Sequence, residues 1–167
     1  MFYRQESDQY INEGTTFFID GAEYPPQWLN QSTPEQKADL GLVEVVQINQ
    51  PANGAYYWVQ EVLNGAELSY TNTPKDLSDV QKQAIAQVNS IAYSILFSTD
   101  WMVVKAFETS TPIAADWNTW RASIRTTAAD TVTAVNAATD VAQVETIMGS
   151  IVWANDPNYV EVPSEVI

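Results

Sequence analysis

Residues 56–97 read YYWVQEVLNGAELSYTNTPKDLSDVQKQAIAQVNSIAYSILF, and this stretch decides the fold class. Its first half is built for strands. Tyr56-Tyr57-Trp58-Val59-Gln60-Glu61-Val62 is aromatic and β-branched, Asn64-Gly65 is a strong short hairpin signal, and Glu67-Leu68-Ser69-Tyr70-Thr71 returns. Its second half is built for a helix. Leu77, Val80, Ala84, Val88, Ile91 and Ile95 recur at steps of three and four, which places them on one apolar stripe. Pro74 separates the two patterns. The chain is therefore expected to be α+β, with a small β-hairpin-rich region first and a C-terminal antiparallel helical hairpin or three-helix unit after it. The expected boundaries are 1–74, 75–150, and an extended tail over 151–167 limited by Pro157 and Pro163.

Upstream of the hairpin, Thr15–Asp20 is β-prone, Asp20-Gly21 suits a tight turn, and Ala22-Glu23-Tyr24 returns. Pro25-Pro26 stops the strand, and Gln27-Trp28-Leu29 starts a compact turn. Thr33, Pro34 and Gln36 have the spacing of a capping box with proline at the first helical position. Gly41 ends that short helix, and Leu42–Val46 reads as a strand. Downstream, Ser98-Thr99-Asp100 breaks or recaps the long helix ahead of Trp101. Thr109–Pro112 is a loop. Ile113, Trp117, Trp120, Ile124, Ala128, Val132 and Val135 form the next stripe. Thr139 is expected to cap a last helix carrying Val141, Val144, Ile147 and Met148, with Gly149 at its end.

Composition narrows the function. The 167 residues include 21 Asp and Glu against 7 Lys and Arg, a formal charge of −14, and no Cys or His. Nucleic acids and anionic membranes draw on clustered basic residues, and the closest basic pair is Arg121 and Arg125, so neither partner is expected. Without Cys or His there is no disulfide framework, thiolate nucleophile, Ser-His-Asp triad or usual zinc site. No metal or cofactor is expected. Asn155, Asp156 and Asn158 hint at a calcium loop, but Pro157 sits among them with no glycine near. No spacing singles out a carboxylate pair for glycoside hydrolysis, so no catalytic residue is assigned. Met1–Glu6 lacks the apolar core of a signal peptide, and Gln83–Thr99 carries too many polar residues for a membrane span. The reading is a non-enzymatic protein kept in the cytosol until it joins an assembly.

Candidate contact residues follow from residue type. Tyr56, Tyr57, Trp58 and Tyr70 give the hairpin aromatic faces, and a small sheet cannot easily bury both: either one face meets a partner, or the helices cover one face and the other stays partly wet. Trp101, Trp117, Trp120 and Arg121 belong to the types enriched at interface hot spots. Core packing accounts equally for the tryptophans at helical spacing. Asp100 as a helix cap with Trp101 in the core is the plainer reading of that pair. Arg121 and Arg125 lie one turn apart and can pair with Asp116 or other acids.

Two segments resemble one phage family. The first is Tyr24-Pro25-Pro26-Gln27-Trp28-Leu29, followed by the short helix from Thr33-Pro34-Glu35-Gln36 to Leu40-Gly41. The second is Ser98-Thr99-Asp100-Trp101-Met102-Val103-Val104-Lys105, then Ile113–Trp117, then Trp120-Arg121-Ala122-Ser123-Ile124-Arg125. These are similar to the opening and the Asp-Trp…Trp-Arg stretch of tail fibre assembly proteins of tailed bacteriophages. The chain departs from the family pattern in the composition of the spacer after Lys105 and in its length beyond Arg125. The resemblance implies a chaperone in the host cytoplasm that binds a trimeric tail fibre protein and promotes its folding or trimerisation. In some relatives it stays on the virion tail. The alternative it implies is a permanent structural subunit of the tail, baseplate or neck. It does not specify the chain's own oligomeric state.

Overall fold

A computed structural model describes residues 1–158 of the chain, so the part of the expected 151–167 tail beyond Asn158 lies outside them. The fold is α+β, with small sheets in residues 2–74 followed by packed helices. It divides into two compact units, the first Met1–Thr73 and the second starting at Pro74.

The first unit begins with two strands that its sequence did not announce. β1 (Phe2–Arg4) pairs antiparallel with β2 (Gln9–Ile11) on one side and with β5 (Leu42–Glu44) on the other. Each has three residues, too short for alternation to stand out. The expected hairpin forms as β3 (Phe17–Ile19) and β4 (Ala22–Tyr24). Asp20 and Gly21 both take positive φ, 52° and 82°, as a two-residue type I′ loop requires. Gln27-Trp28-Leu29 enters a single helical turn, α1 (Trp28–Gln31). In α2 (Pro34–Asp39) the capping box is complete: Gln36 N–H donates to Thr33 Oγ1 and Thr33 N–H donates to Gln36 Oε1. The Glu35 carboxyl is held below the usual range by a hydrogen bond to its own backbone amide and by the Thr33 hydroxyl.

Phe2, Ile11, Phe17, Ile19, Leu29 and Leu42 form the core of this unit. Tyr24 stacks on Phe17 with centroids 5.0 Å apart, and Trp28 meets both rings edge-on. Arg4, buried at the end of β1, ties three pieces together. Its guanidinium donates to both Asp20 carboxylate oxygens at 3.2 and 2.9 Å, and its Nε donates to Leu40 O at 3.2 Å. A planar fork facing a carboxylate fixes geometry as well as charge.

The strand expected over 42–46 is divided. β5 stops at Glu44, and β6 (Val46–Gln47) runs parallel to β8. β7 (Tyr57–Asn64) and β8 (Glu67–Pro74) are the expected second hairpin, with two corrections. Tyr56 precedes the strand. The loop is Gly65-Ala66, one residue later than Asn64-Gly65, with positive φ at Gly65 (56°) but not at Asn64 or Ala66. That is the pattern of a type II′ loop, which needs glycine only at its first position. Asn49 extends the pairing beyond β6: its side-chain amide accepts from Tyr70 N–H at 2.7 Å and donates to Tyr70 O at 2.9 Å. No residue of β6, β7 or β8 is buried.

The second unit contains α3 (Leu77–Phe97), α4 (Asp100–Thr109), α5 (Ala115–Ala137) and α6 (Val141–Gly149). α3, α5 and α6 pack on one another as a three-helix unit. Val80, Ala84, Val88 and Ala92 are the buried stripe of α3; Trp120, Ile124, Ala128 and Val135 are buried on α5. Ile91 and Ile95, expected on the α3 stripe, are half-buried beside it. Two polar links show that α3 and α5 run antiparallel. Gln81 near the start of α3 donates to Val135 O and Ala138 O at the end of α5, at 2.9 and 3.1 Å. Leu96 O at the end of α3 accepts from Arg121 near the start of α5. The last helix is capped one residue later than expected. Asp140 is the N-cap, accepting from Gln143 N–H at 2.8 Å, while Thr139 N–H donates to Gln143 Oε1.

Candidate functional site

The site is built around the break between α3 and α4. α3 ends at Phe97, and Ser98 and Thr99 turn the chain before α4 starts at Asp100. The Arg121 guanidinium reaches this elbow from α5. It donates to Leu96 O at 3.0 Å, to Thr99 Oγ1, and to Asp100 Oδ1 at 2.6 Å. Thr99 Oγ1 donates in turn to Leu96 O at 2.9 Å. One buried cation thus satisfies a terminal carbonyl of α3 and anchors the first residue of α4. Residues from two separated pieces of sequence, Thr99-Asp100 and Trp120-Arg121, meet in this node.

The expected roles of Asp100 and Trp101 change here. Asp100 lies inside α4 as an ion-pair partner, and the N-cap is Thr99 without a side-chain cap bond. Trp101 does not fill the core; it is 57 % exposed. Arg121 pairs with Asp100 across 21 positions of sequence, whereas its exposed neighbour Arg125 makes no ion pair among the described residues.

α4 is the anomaly of the second unit. Six of its ten residues are apolar (Trp101, Met102, Val103, Val104, Ala106 and Phe107), yet none is buried. A helix apolar on most of its circumference is normally enclosed. Phe107 is 90 % exposed, and Val103 and Val104 are also exposed. At 100° per residue, Val103, Phe107, Val104 and Trp101 fall within one arc of about 160°, which Asp100 and Glu108 share. Tyr93 and Phe97, at the end of α3, are exposed as well and touch each other at 5.7 Å. The opposite side of α4 faces a cleft of about 250 Å³ that it forms with the start of α5. Trp101, Met102, Pro112, Ile113 and Trp117 supply the apolar lining, and Lys105 stands at its edge with Nζ 5.8 Å from the Trp101 ring centroid. Ser110, with φ 54°, turns the chain from α4 into the far wall.

The remaining candidates divide by burial. Trp120 and Arg121 are interior, and the Trp120 indole N–H donates to Ala154 O at 2.8 Å, holding the segment after α6. They serve the fold and present no anchor to a partner. Trp117 is half-buried, set edge-on to Trp120 at 5.5 Å, and forms one cleft wall. In the hairpin, Trp58 is exposed and Tyr56, Tyr57 and Tyr70 are half-buried. Phe107 was not singled out from sequence, and Val103, Val104 and Lys105 entered only as members of the Ser98–Lys105 segment, not as contact residues. The signal available was a ten-residue segment with six apolar residues, between two stripes that already pair with each other.

Among the described residues no group of three acidic side chains gathers as a metal site, and no helix is long and apolar enough to cross a membrane. Asn158 N–H donates to Asp156 Oδ1 at 2.8 Å, so that cluster closes on itself as a local turn. No family model, curated protein or solved structure matches the chain.

Proposed function

We propose that this chain is a non-enzymatic assembly protein of a bacteriophage tail, a chaperone that binds the tail fibre polypeptide in the host cytoplasm and promotes its folding and trimerisation. The reading takes its direction from the resemblance of Ser98–Lys105 and Trp120–Arg125 to fibre assembly proteins. The observation that carries it physically is α4: an apolar helix held rigidly at its base by Arg121, with none of its residues buried. Such a surface covers exposed apolar segments or strand edges of a partner until three copies come into register, a stage at which unpaired edges otherwise aggregate. The charge of −14 keeps copies of the chaperone apart while that surface is open.

The test is co-expression with the fibre protein of the same phage, followed by size exclusion with light scattering. Soluble trimeric fibre is expected with the native chain and lost with Phe107→Glu, a change at an exposed position that leaves the helical circular dichroism intact. Fibre that trimerises equally well without the chain overturns the proposal. If in that case mass spectrometry of particles finds the chain at fixed copy number, the permanent-subunit reading replaces it.

A further inference from the structure

The cleft behind α4 has chemistry of its own. Its volume of about 250 Å³ is below the roughly 300–1,000 Å³ of sites for drug-sized ligands, so it suits one side chain rather than a whole small molecule. Trp101 and Trp117 provide rigid aromatic walls, Met102 an adaptable one, and Pro112 and Ile113 close the far side. Lys105 is the one formal charge on the lining. It is also the sole basic residue between Lys82 and Arg121 in a strongly acidic chain, and among the described residues it has no carboxylate within ion-pair distance. Asp100 is engaged with Arg121, and Asp116 Oδ1 accepts from Trp117 N–H at 2.9 Å; Glu108, one turn on from Lys105, is exposed and forms no ion pair with it. The cleft is therefore an apolar socket with a cation at its lip.

We propose that this cleft is an anchor socket for a partner polypeptide: it takes one aromatic or large aliphatic side chain, while a carboxylate beside that anchor pairs with Lys105. The complementarity explains how an acidic chain accepts an acidic segment at this one place. The inference rests on the reading of α4 as the partner-contact helix, but it concerns the side opposite Phe107 and is tested without any fibre.

The probe is 3-phenylpropionate, with 3-phenylpropanamide as its uncharged match, titrated into the full chain while amide and indole resonances are followed by NMR. The expected result is saturable shifts confined to residues 101–117, with a dissociation constant on the order of a few millimolar for so small a ligand. The amide should bind about two- to fivefold more weakly, and Lys105→Ala should erase that difference. Absence of saturable shifts in 101–117 at about 10 mM probe, against the few-millimolar affinity expected, overturns the socket. Equal affinity of acid and amide overturns the role of Lys105. Phe107→Glu separates the two readings: it should retain probe binding while losing fibre solubilisation. A chain that binds the probe but never affects fibre therefore sinks the chaperone function and leaves the socket standing.

Discussion

Arg121→Ala is the most informative single change in the second unit. Arg121 is 3 % exposed, while the Asp100 side chain it pairs with is 51 % exposed. The ion pair itself is therefore screened on one side and contributes at most about 1 kcal/mol. Removing the guanidinium leaves no orphan at Leu96 O, which keeps Thr99 N–H at 3.0 Å and Thr99 Oγ1 at 2.9 Å. The loss there is one charge-assisted bond, net about 1 kcal/mol once the desolvation of the guanidinium is counted. The two methylenes lost from the buried stem add about 1.5 kcal/mol. These terms place the destabilisation at about 2.5–3.5 kcal/mol. That lies at the lower end of the roughly 3–5 kcal/mol for stranding a fully buried charge, because Asp100 can return to water. In urea unfolding followed by circular dichroism at 222 nm, the midpoint should fall by on the order of 1–2 M. Arg125→Ala, one turn away on the exposed side, is the control and should stay within about 0.5 kcal/mol. If the two variants unfold alike, Arg121 does not hold the α3–α4 elbow. Asp100→Ala leaves the buried guanidinium with neutral partners only, so an Asp100→Ala cost within about 0.5 kcal/mol of zero would show that the ion pair contributes little beside the arginine stem and its bond to Leu96 O.

Two further predictions concern the first unit and the helical unit. Asp20 combines an ion pair to Arg4 with a φ of 52°, so Asp20→Ala loses the pair and adds left-handed strain, whereas Asp20→Gly loses the pair alone; Asp20→Ala should be less stable than Asp20→Gly by about 1 kcal/mol, and the reverse order in thermal unfolding would refute the role of the turn. Gln81→Ala removes both bonds to the end of α5 and should cost about 1–2 kcal/mol, with faster amide exchange at the α5 C-terminus, while unchanged exchange there would show that the carbonyls of Val135 and Ala138 find water equally well.

Much of this protein was legible because local rules acted alone. The helix stripes, the capping box from Thr33 to Gln36, and the Asp20-Gly21 turn are set by neighbours within four residues, and the structure reproduces them. Where two local solutions lie close together, tertiary pairing chose between them. The loop after β7 moved from Asn64-Gly65 to Gly65-Ala66, which sets Asn64 opposite Glu67 instead of Leu63 opposite Ala66 and so changes the cross-strand partners while each side chain keeps its face. β1 and β2 escaped notice because three-residue strands are held by sheet partners distant in sequence, in this case β5, and by Arg4 reaching Asp20 and Leu40.

The candidate site shows the same boundary. The amino-acid sequence by itself established the α+β order, the division near Pro74, and the absence of the Cys and His that most catalytic and metal sites use. It also set Trp101 and Arg121 apart as residues worth explaining, though not which of them faces outward. That was decided by tertiary structure. α3 and α5 satisfy each other's apolar stripes together with α6, so the ten residues between them have no facing stripe to pack on. Arg121 spends its charge on the elbow beneath α4, and Trp101, Val104 and Phe107 are left toward solvent. Periodicity marks which residues are apolar; how many elements compete for one core determines which of them remain outside.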